Sequence, residues 1–215
     1  MDSLEAIAGP ARPLLRRVDR VLAGVGAPAE HRVWAELRRV RLLPGDAVDV
    51  VVGLRTAELR DAVPELRATA RSYADLAESL PRPGSWTGSA ADAFDLAVRR
   101  TADQVSGGGA ESLDERLEAT ADLGDALVEW IGETRGALAG TLADVLASAE
   151  ALALSPDWAA SDASGPATDD QIRAAAEVAA LVLRSVAESY ESAADLLHAS
   201  TDLAGSAYDG GVVRD

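Results

Sequence analysis

Cysteine, lysine and long apolar runs are all absent from this 215-residue chain. Without cysteine, the chain can form neither a disulfide nor a thiolate metal site. No apolar run reaches the roughly 18 residues that a membrane-spanning helix requires, so we expect no membrane span. The first residues, Met1 to Glu5, are acidic and lead into no long apolar segment. We therefore expect no general secretory signal peptide.

Aromatic residues are scarce, at 4% of the chain, whereas apolar residues as a whole make up 48%. Much of the apolar fraction is alanine. Alanine-rich segments with few large side chains suit close-packed helices better than a sheet. The length suits one domain, or one domain with a small appendage. The composition therefore predicts an all-α protein.

The net charge of −16 is unevenly distributed. Residues 1–43 hold eight arginines against five acidic residues, whereas residues 101–215 hold five arginines against 22 acidic residues. Nucleic-acid binding needs a cationic surface, so the acidic second half disfavours it. The basic first segment could contact anionic lipid or nucleic acid. We expect instead that its arginines pair closely with acidic residues of this chain or of a neighbour, because salt screens charges beyond about 8 Å.

Few residues could carry catalysis. The two histidines, His31 and His198, lie far apart in the sequence. Asp195 and His198 lie one helical turn apart, but a carboxylate-bridged metal bundle needs several such ligands to converge. The sequence contains no nucleophile elbow, Walker loop or dinucleotide fingerprint. We predict a protein that is not an enzyme and has no metal site or cofactor, with its many acidic residues on solvated helix faces.

Apolar spacing predicts two short helices at 11–24 and 29–42, within a basic N-terminal segment, residues 1–45. Pro44-Gly45 is expected to end the second helix. In the first helix, the residues expected to be buried are Leu14, Leu15, Val18, Val21 and Leu22.

The valine-rich stretch 47–53 favours a strand locally, but no second strand is available to pair with it. We therefore predict that it begins a helix that runs to about residue 80, with Asp46 as its N-cap. Pro64 either kinks this helix or lies in the first turn of a new one. The apolar positions expected to face inward are Leu59, Val63, Leu66, Ala70, Tyr73, Leu76 and Leu80.

A further helix is predicted from Ser89, its expected cap, to the glycine run at 107–109. Its expected buried face consists of Ala90, Phe94, Ala97, Val98, Thr101 and Val105. One long helix is then predicted over 112–153, with a capping box at Ser112 and an apolar stripe that includes Leu113 and Leu152. Gly124 interrupts the stripe and marks either a weak point or a close approach of two helices.

The last part of the chain is predicted as a loop, 155–168, a helix, 169–205, and a flexible tail, 206–215. Thr168 and Gln171 form a second capping-box pattern at the start of the helix. Its inward positions are expected to be Ile172, Ala176, Ala179, Leu183, Val186, Tyr190, Ala193, Leu197 and Ala204. With two stacked hairpins, the long helices would form a four-helix bundle.

The most informative motif is Trp86-Thr87-Gly88, which follows a proline- and glycine-containing break between two predicted helices. Glycine permits a tight reversal of the chain at this point. Phe94 follows on the next helix. An antiparallel helical hairpin with a Trp-x-Gly turn is therefore predicted within residues 46–154.

This combination resembles the Trp-x-Gly (WxG, ESX-type) family of type VII secretion proteins, as an extended actinobacterial-type member. The resemblance implies helical hairpins that pair side by side into four-helix bundles and act as exported substrates or as partners of effectors. It implies that Trp86 and Gly88 form the hairpin tip, where the indole contacts a partner or the secretion ATPase. A plain hydrophobic plug that closes the hairpin is the alternative for Trp86. We expect Trp34, Trp130 and Trp158 to be packing residues.

The resemblance implies a partner protein that is helical, either another Trp-x-Gly protein, an effector, or a second copy of this chain. It implies a cytoplasmic location before export by a type VII route. The export signal of the family, Tyr-x-x-x-Asp/Glu, is not matched at Tyr73, Tyr190 or Tyr208. Either a partner supplies the signal, or the protein remains in the cytoplasm. A self-contained helical scaffold without a secretion role and a carboxylate–histidine metal bundle are the alternatives.

Overall fold

The computed structural model describes residues 2–82, 84–107, 109, 112–154 and 167–205, excluding the side chains of 199 and 201–205. Every regular element in these ranges is an α-helix, which confirms the all-α prediction. None of the described helices is long and apolar enough to cross a membrane. The helices are α1 Ser3–Gly24, α2 Val33–Val40, α3 Pro44–Gly53, α4 Ala57–Ser79, α5 Ser89–Ser106, α6 Leu113–Leu146, α7 Ala149–Ala153 and α8 Asp169–Gly205.

The packing divides the chain into two compact units. Of the described residues, those within 1–55 and 130–193 form unit 1, and those within 56–129 and 194–205 form unit 2. The chain therefore leaves unit 1 after Arg55 and returns to it at Trp130. The predicted loop around Trp158, the whole of the predicted tail and the side chain of Ala204 lie outside the described residues.

The core of unit 1 is built largely from α1 and α8. Helix α1 is longer than predicted, because it begins at Ser3 and includes Pro10 and Pro13. Leu4, Ala8 and Ala11 are buried, and this burial offsets the hydrogen bonds that the prolines remove. The five residues predicted to be buried further along α1 are all buried.

Helix α8 is buried on several sides between residues 174 and 187, where most of its side chains are alanine or valine. Small side chains let neighbouring helices approach closely, so this segment needs no single apolar stripe. Tyr190 and Leu197, predicted to face inward, are 36% and 52% exposed. The predicted capping box is confirmed, since Thr168 N–H donates to Gln171 Oε1 (3.0 Å) and Gln171 N–H to Thr168 Oγ1 (3.3 Å).

Helix α2 is tied to α8 by charged side chains. Arg32 pairs with Glu177, and Arg39 pairs with Glu191 at 2.7 Å. Glu36, which is 6% exposed, also contacts Arg184 at 3.4 Å. The pairs of Arg32 and Arg39 confirm that arginines of the basic segment meet acidic residues of the second half, whereas the pair of Glu36 with Arg184 has the reverse arrangement.

The prediction of one helix over 47–80 is wrong. Helix α3 ends at Gly53, and α4 begins at Ala57. Helix α3 begins at Pro44, with Leu43 rather than Asp46 at the N-cap. The backbone N–H at the first position of a helix has no partner within the helix, so proline, which lacks this N–H, suits the position. Consequently Pro44 begins α3 instead of ending α2, and Pro64 lies in the interior of α4.

The single helix predicted over 112–153 is also broken. Helix α6 ends at Leu146, and Ser148 accepts a hydrogen bond from Ala151 N–H to begin α7. The break turns Leu152 outward, where it is 74% exposed. Leu113, at the start of α6, is likewise exposed. The predicted capping box is not formed, because Ser112 Oγ donates to Gly109 O and contacts Asp114 rather than pairing with Glu115.

In unit 2, α4 packs against α5, and α4 also contacts the first half of α6. A Cβ built on Gly124 would lie 2.6 Å from Val63 Cγ2, so Gly124 is a point of close helix approach. Arg67 of α4 reaches Glu118, Asp122 and Asp125 of α6 at 3.4, 2.7 and 2.8 Å.

Candidate functional site: the tip and outer face of a helical hairpin

The connection between α4 and α5 reverses the chain, and the two helices it joins pack together as a hairpin. Gly88 is the N-cap of α5, with φ +101° and ψ 176°. This backbone region is essentially reserved for glycine. Ser89, predicted as the cap, is the first helical residue. Gly88 is therefore needed for the geometry of the reversal, as the sequence predicts.

Trp86 stands at this reversal and is 51% exposed. Its indole lies against the ring of Phe94, with centroids 5.7 Å apart and planes inclined by 49°. This tilted contact is a favourable arrangement for two aromatic rings. The structure thus brings the predicted motif residues Trp86, Gly88 and Phe94 together at one end of the hairpin.

The buried face of α5 differs from the prediction. Ala91 is buried, and Val98 and Val105 are partly buried. In contrast, the predicted positions Ala90, Phe94, Ala97 and Thr101 are exposed. Ala90 and Ala91 are equally suited to a helix interface, so the packing of unit 2 decides which of them is covered. The helix is rotated by about one residue, or 100°, from the predicted orientation.

The exposed residues Ala90, Phe94, Ala97 and Thr101 are spaced by four, three and four positions. This is the spacing of a helix face that packs against another helix. We call these four residues the α5 seam. Trp86 adjoins the seam through Phe94. Leu96, 50% exposed, points away from the seam on a different side of α5.

The other tryptophans have different environments. Trp34 donates from Nε1 to Pro28 O (2.9 Å), and Trp130 donates to Ser189 O (3.0 Å). Both side chains are partly buried. Each is therefore anchored within unit 1, as a packing residue should be. The prediction for Trp158 lies outside the described residues.

An open cleft of about 660 Å³ lies at the connection between α1 and α2, beside Trp34. Two of its lining residues, His31 and Arg32, are engaged by Glu177. His31 Nδ1 accepts from Val33 N–H at 3.1 Å, so Nε2 carries the proton that is donated to Glu177. Burial raises the pKa of Glu177, but hydrogen bonds from Arg32 and His31 outweigh it and hold the pKa below its usual value. These groups serve the packing of α2 on α8.

The Asp195–His198 pair is exposed on α8. Within the described ranges, no group of three or more histidine, aspartate or glutamate side chains is placed to hold a metal ion.

No family model, curated protein or solved structure matches this chain.

Proposed function

We propose that this chain is a non-enzymatic partner or substrate protein of a type VII secretion pathway, which acts by association with another helical chain. One observation carries the proposal: a Trp-x-Gly sequence occupies the reversal of a helical hairpin, with its indole half exposed. The glycine has the backbone conformation that the reversal requires.

The α5 seam and Trp86 are the surface through which the chain associates in this proposal. A partner helix laid along α5 would cover the 36% of Phe94 that remains exposed, which is worth about a third of the roughly 1.5–3 kcal/mol of a full burial. Ala90 and Ala97 flank it and permit close approach of a second backbone. Trp86 extends the same surface to the end of the hairpin, where a partner or the secretion ATPase would contact it.

The hairpin itself supplies a reason for a partner. Val63 and Ala70 are the buried residues of α4, and Ala91 is the buried residue of α5. Trp86 and Phe94, 51% and 36% exposed, adjoin each other on the outside of the hairpin. Adjoining exposed apolar side chains are typical of interaction sites. The partner is a helical protein, either another hairpin or a second copy of this chain.

The export signal is a separate part of the proposal. Since no Tyr-x-x-x-Asp/Glu sequence is present, the partner carries the signal if the chain is exported. A chain without such a partner remains in the cytoplasm as an adaptor.

A self-contained helical scaffold is the second candidate. It is favoured by α8, whose residues 174–187 are largely buried within unit 1 of the same chain. In this case the C-terminal helix already has its packing partners along this segment.

Secretion in a host with a type VII system tests the proposal. A tagged chain should reach the culture medium when co-expressed with its helical partner, and should not do so when the secretion ATPase is deleted. Trp86→Ala should reduce export or partner binding while the helical content is retained. Unchanged export and binding in that folded variant would remove the role proposed for the motif.

A further inference from the structure

Arg135, on α6, is a buried arginine, with 8% of its surface exposed. Its Nη1 donates to the backbone carbonyls of Val51, Val52 and Leu54 at 3.0, 2.9 and 3.3 Å. These carbonyls lie at the end of α3, where a helix leaves its last acceptors without partners. The guanidinium therefore caps α3 and is favourably placed at the negative end of the helix dipole.

Two carboxylates at the start of α1 balance the positive charge of Arg135. Its Nε pairs with Asp2 Oδ2, and its Nη2 lies 3.7 Å from Glu5 Oε1. Asp2 also accepts from Leu4 N–H at 3.1 Å as the N-cap of α1. The hydrogen bond from Arg135 is the largest influence on Asp2 and holds the pKa of its carboxyl below the usual value. A buried guanidinium without these carboxylates would be strongly unfavourable.

This group of residues surrounds the point where the chain leaves unit 1. Leu54, Arg55 and Thr56 form the connection between α3 and α4. Arg55 is the last residue of unit 1, and its side chain is 73% exposed. Its Nη1 lies 3.8 Å from Glu5 Oε1, so Glu5 is near both arginines.

We propose that Arg135, Asp2 and Glu5 form a clamp that holds the connection Leu54–Thr56 closed, and that the connection opens locally when the carboxylates are removed. Leu4 and Val51 of the apolar core adjoin these contacts, but most of the core lies elsewhere along α1 and α8. We therefore expect the core to stay folded when the clamp opens. The carboxylates in the first turn of α1 thereby control how readily a protease reaches the connection between α3 and α4.

Limited proteolysis with trypsin, which cleaves after arginine, reports on this opening at Arg55. The test variant is Asp2→Ser with Glu5→Gln, because serine retains the N-cap of α1 while the charge is lost. The control variant is Asp49→Asn, which breaks the exposed pair of Arg12 with Asp49 (3.1 Å) and leaves Arg135 unchanged. Cleavage after Arg41, in the connection between α2 and α3, is the internal reference.

Cleavage after Arg55 should accelerate at least about tenfold in the double variant, because proteolysis follows the population of the open form. Cleavage after Arg41 should change by less than about twofold, as it should in the control variant. An unchanged rate at Arg55 would overturn the proposal. Equal acceleration at both sites would also overturn it, because the opening would then be global. Arg135→Met should accelerate cleavage at Arg55 as well; if that variant does not fold, the double variant decides.

Discussion

The indole of Trp86 lies against the ring of Phe94, with centroids 5.7 Å apart, and both side chains remain exposed. The contact joins the reversal between α4 and α5 to the outer face of α5. A tilted contact between two aromatic rings contributes about 0.5–1.5 kcal/mol and thereby favours a defined orientation of both side chains. This arrangement suits a surface that receives a partner helix.

Gly88→Ala should destabilise the hairpin by about 1–3 kcal/mol, because the backbone of an alanine is strained at a φ of +101°. No neighbouring atom lies within 4 Å of the added Cβ, so backbone conformation alone accounts for the loss. Urea unfolding measures the change. Gly140→Ala is the matched control: it lies inside α6 with open space around it and should stabilise by about 0.5–1 kcal/mol. Equal effects in the two variants would contradict the role of Gly88.

Gly124→Ala should destabilise unit 2 by about 1–3 kcal/mol, because its Cβ would lie 2.6 Å from Val63 Cγ2. Valine is stiff within a helix and cannot turn away easily. The loss should shrink when Gly124→Ala is made in a Val63→Ala background, since the opposing methyl group is then gone. Urea unfolding of the four proteins gives this coupling; an equal loss in both backgrounds would show that the helices are not in close contact here.

Asp19→Asn should remove a pH dependence of folding. Burial, and then the charges of Asp46 and Asp49, raise the pKa of Asp19 from 3.8 to about 6, although the Gly45 N–H bond opposes the rise. The folded state therefore binds the proton more tightly than the unfolded state. The resulting stabilisation is complete below the unfolded pKa and is lost as pH rises through about 6.

In the parent chain, the backbone nitrogen of Gly45 lies 3.2 Å from both carboxylate oxygens of Asp19. Asparagine keeps one oxygen that can accept this hydrogen bond. Urea unfolding from about pH 4 to about pH 7 should therefore show a smaller loss of stability in Asp19→Asn than in the parent chain. Parallel pH profiles for the two proteins would mean that Asp19 titrates alike in the folded and unfolded states.

Helix positions could be predicted from sequence where the signals are local. The reciprocal bonds of Thr168 and Gln171 are an example, because both partners lie within one turn. The rotation of α5 could not be predicted in this way. Alanine occurs at 90, 91, 93 and 97, so several faces have similar apolar character, and a shift by one residue changes the buried face.

The break between α3 and α4 depends on a residue far along the chain. Arg135, 84 positions beyond Val51 in the sequence, donates to the Val51 carbonyl at the end of α3, and no local sequence pattern signals such a contact. The close approach at Gly124 is an intermediate case. The sequence indicates that a small residue interrupts an apolar stripe, but only the packing identifies Val63 as its neighbour.

The molar mass of the protein in solution tests the central proposal most directly. Light scattering coupled to size exclusion should be run on the chain alone and together with a co-expressed helical partner. The proposal predicts a complex of two helical chains, either a dimer at twice the 22.2 kDa chain mass or a heterodimer. Phe94→Glu should dissociate it, whereas Leu96→Glu, a matched change on another side of α5, should not. A strict monomer under both conditions, or equal dissociation by both variants, would contradict association through the α5 seam.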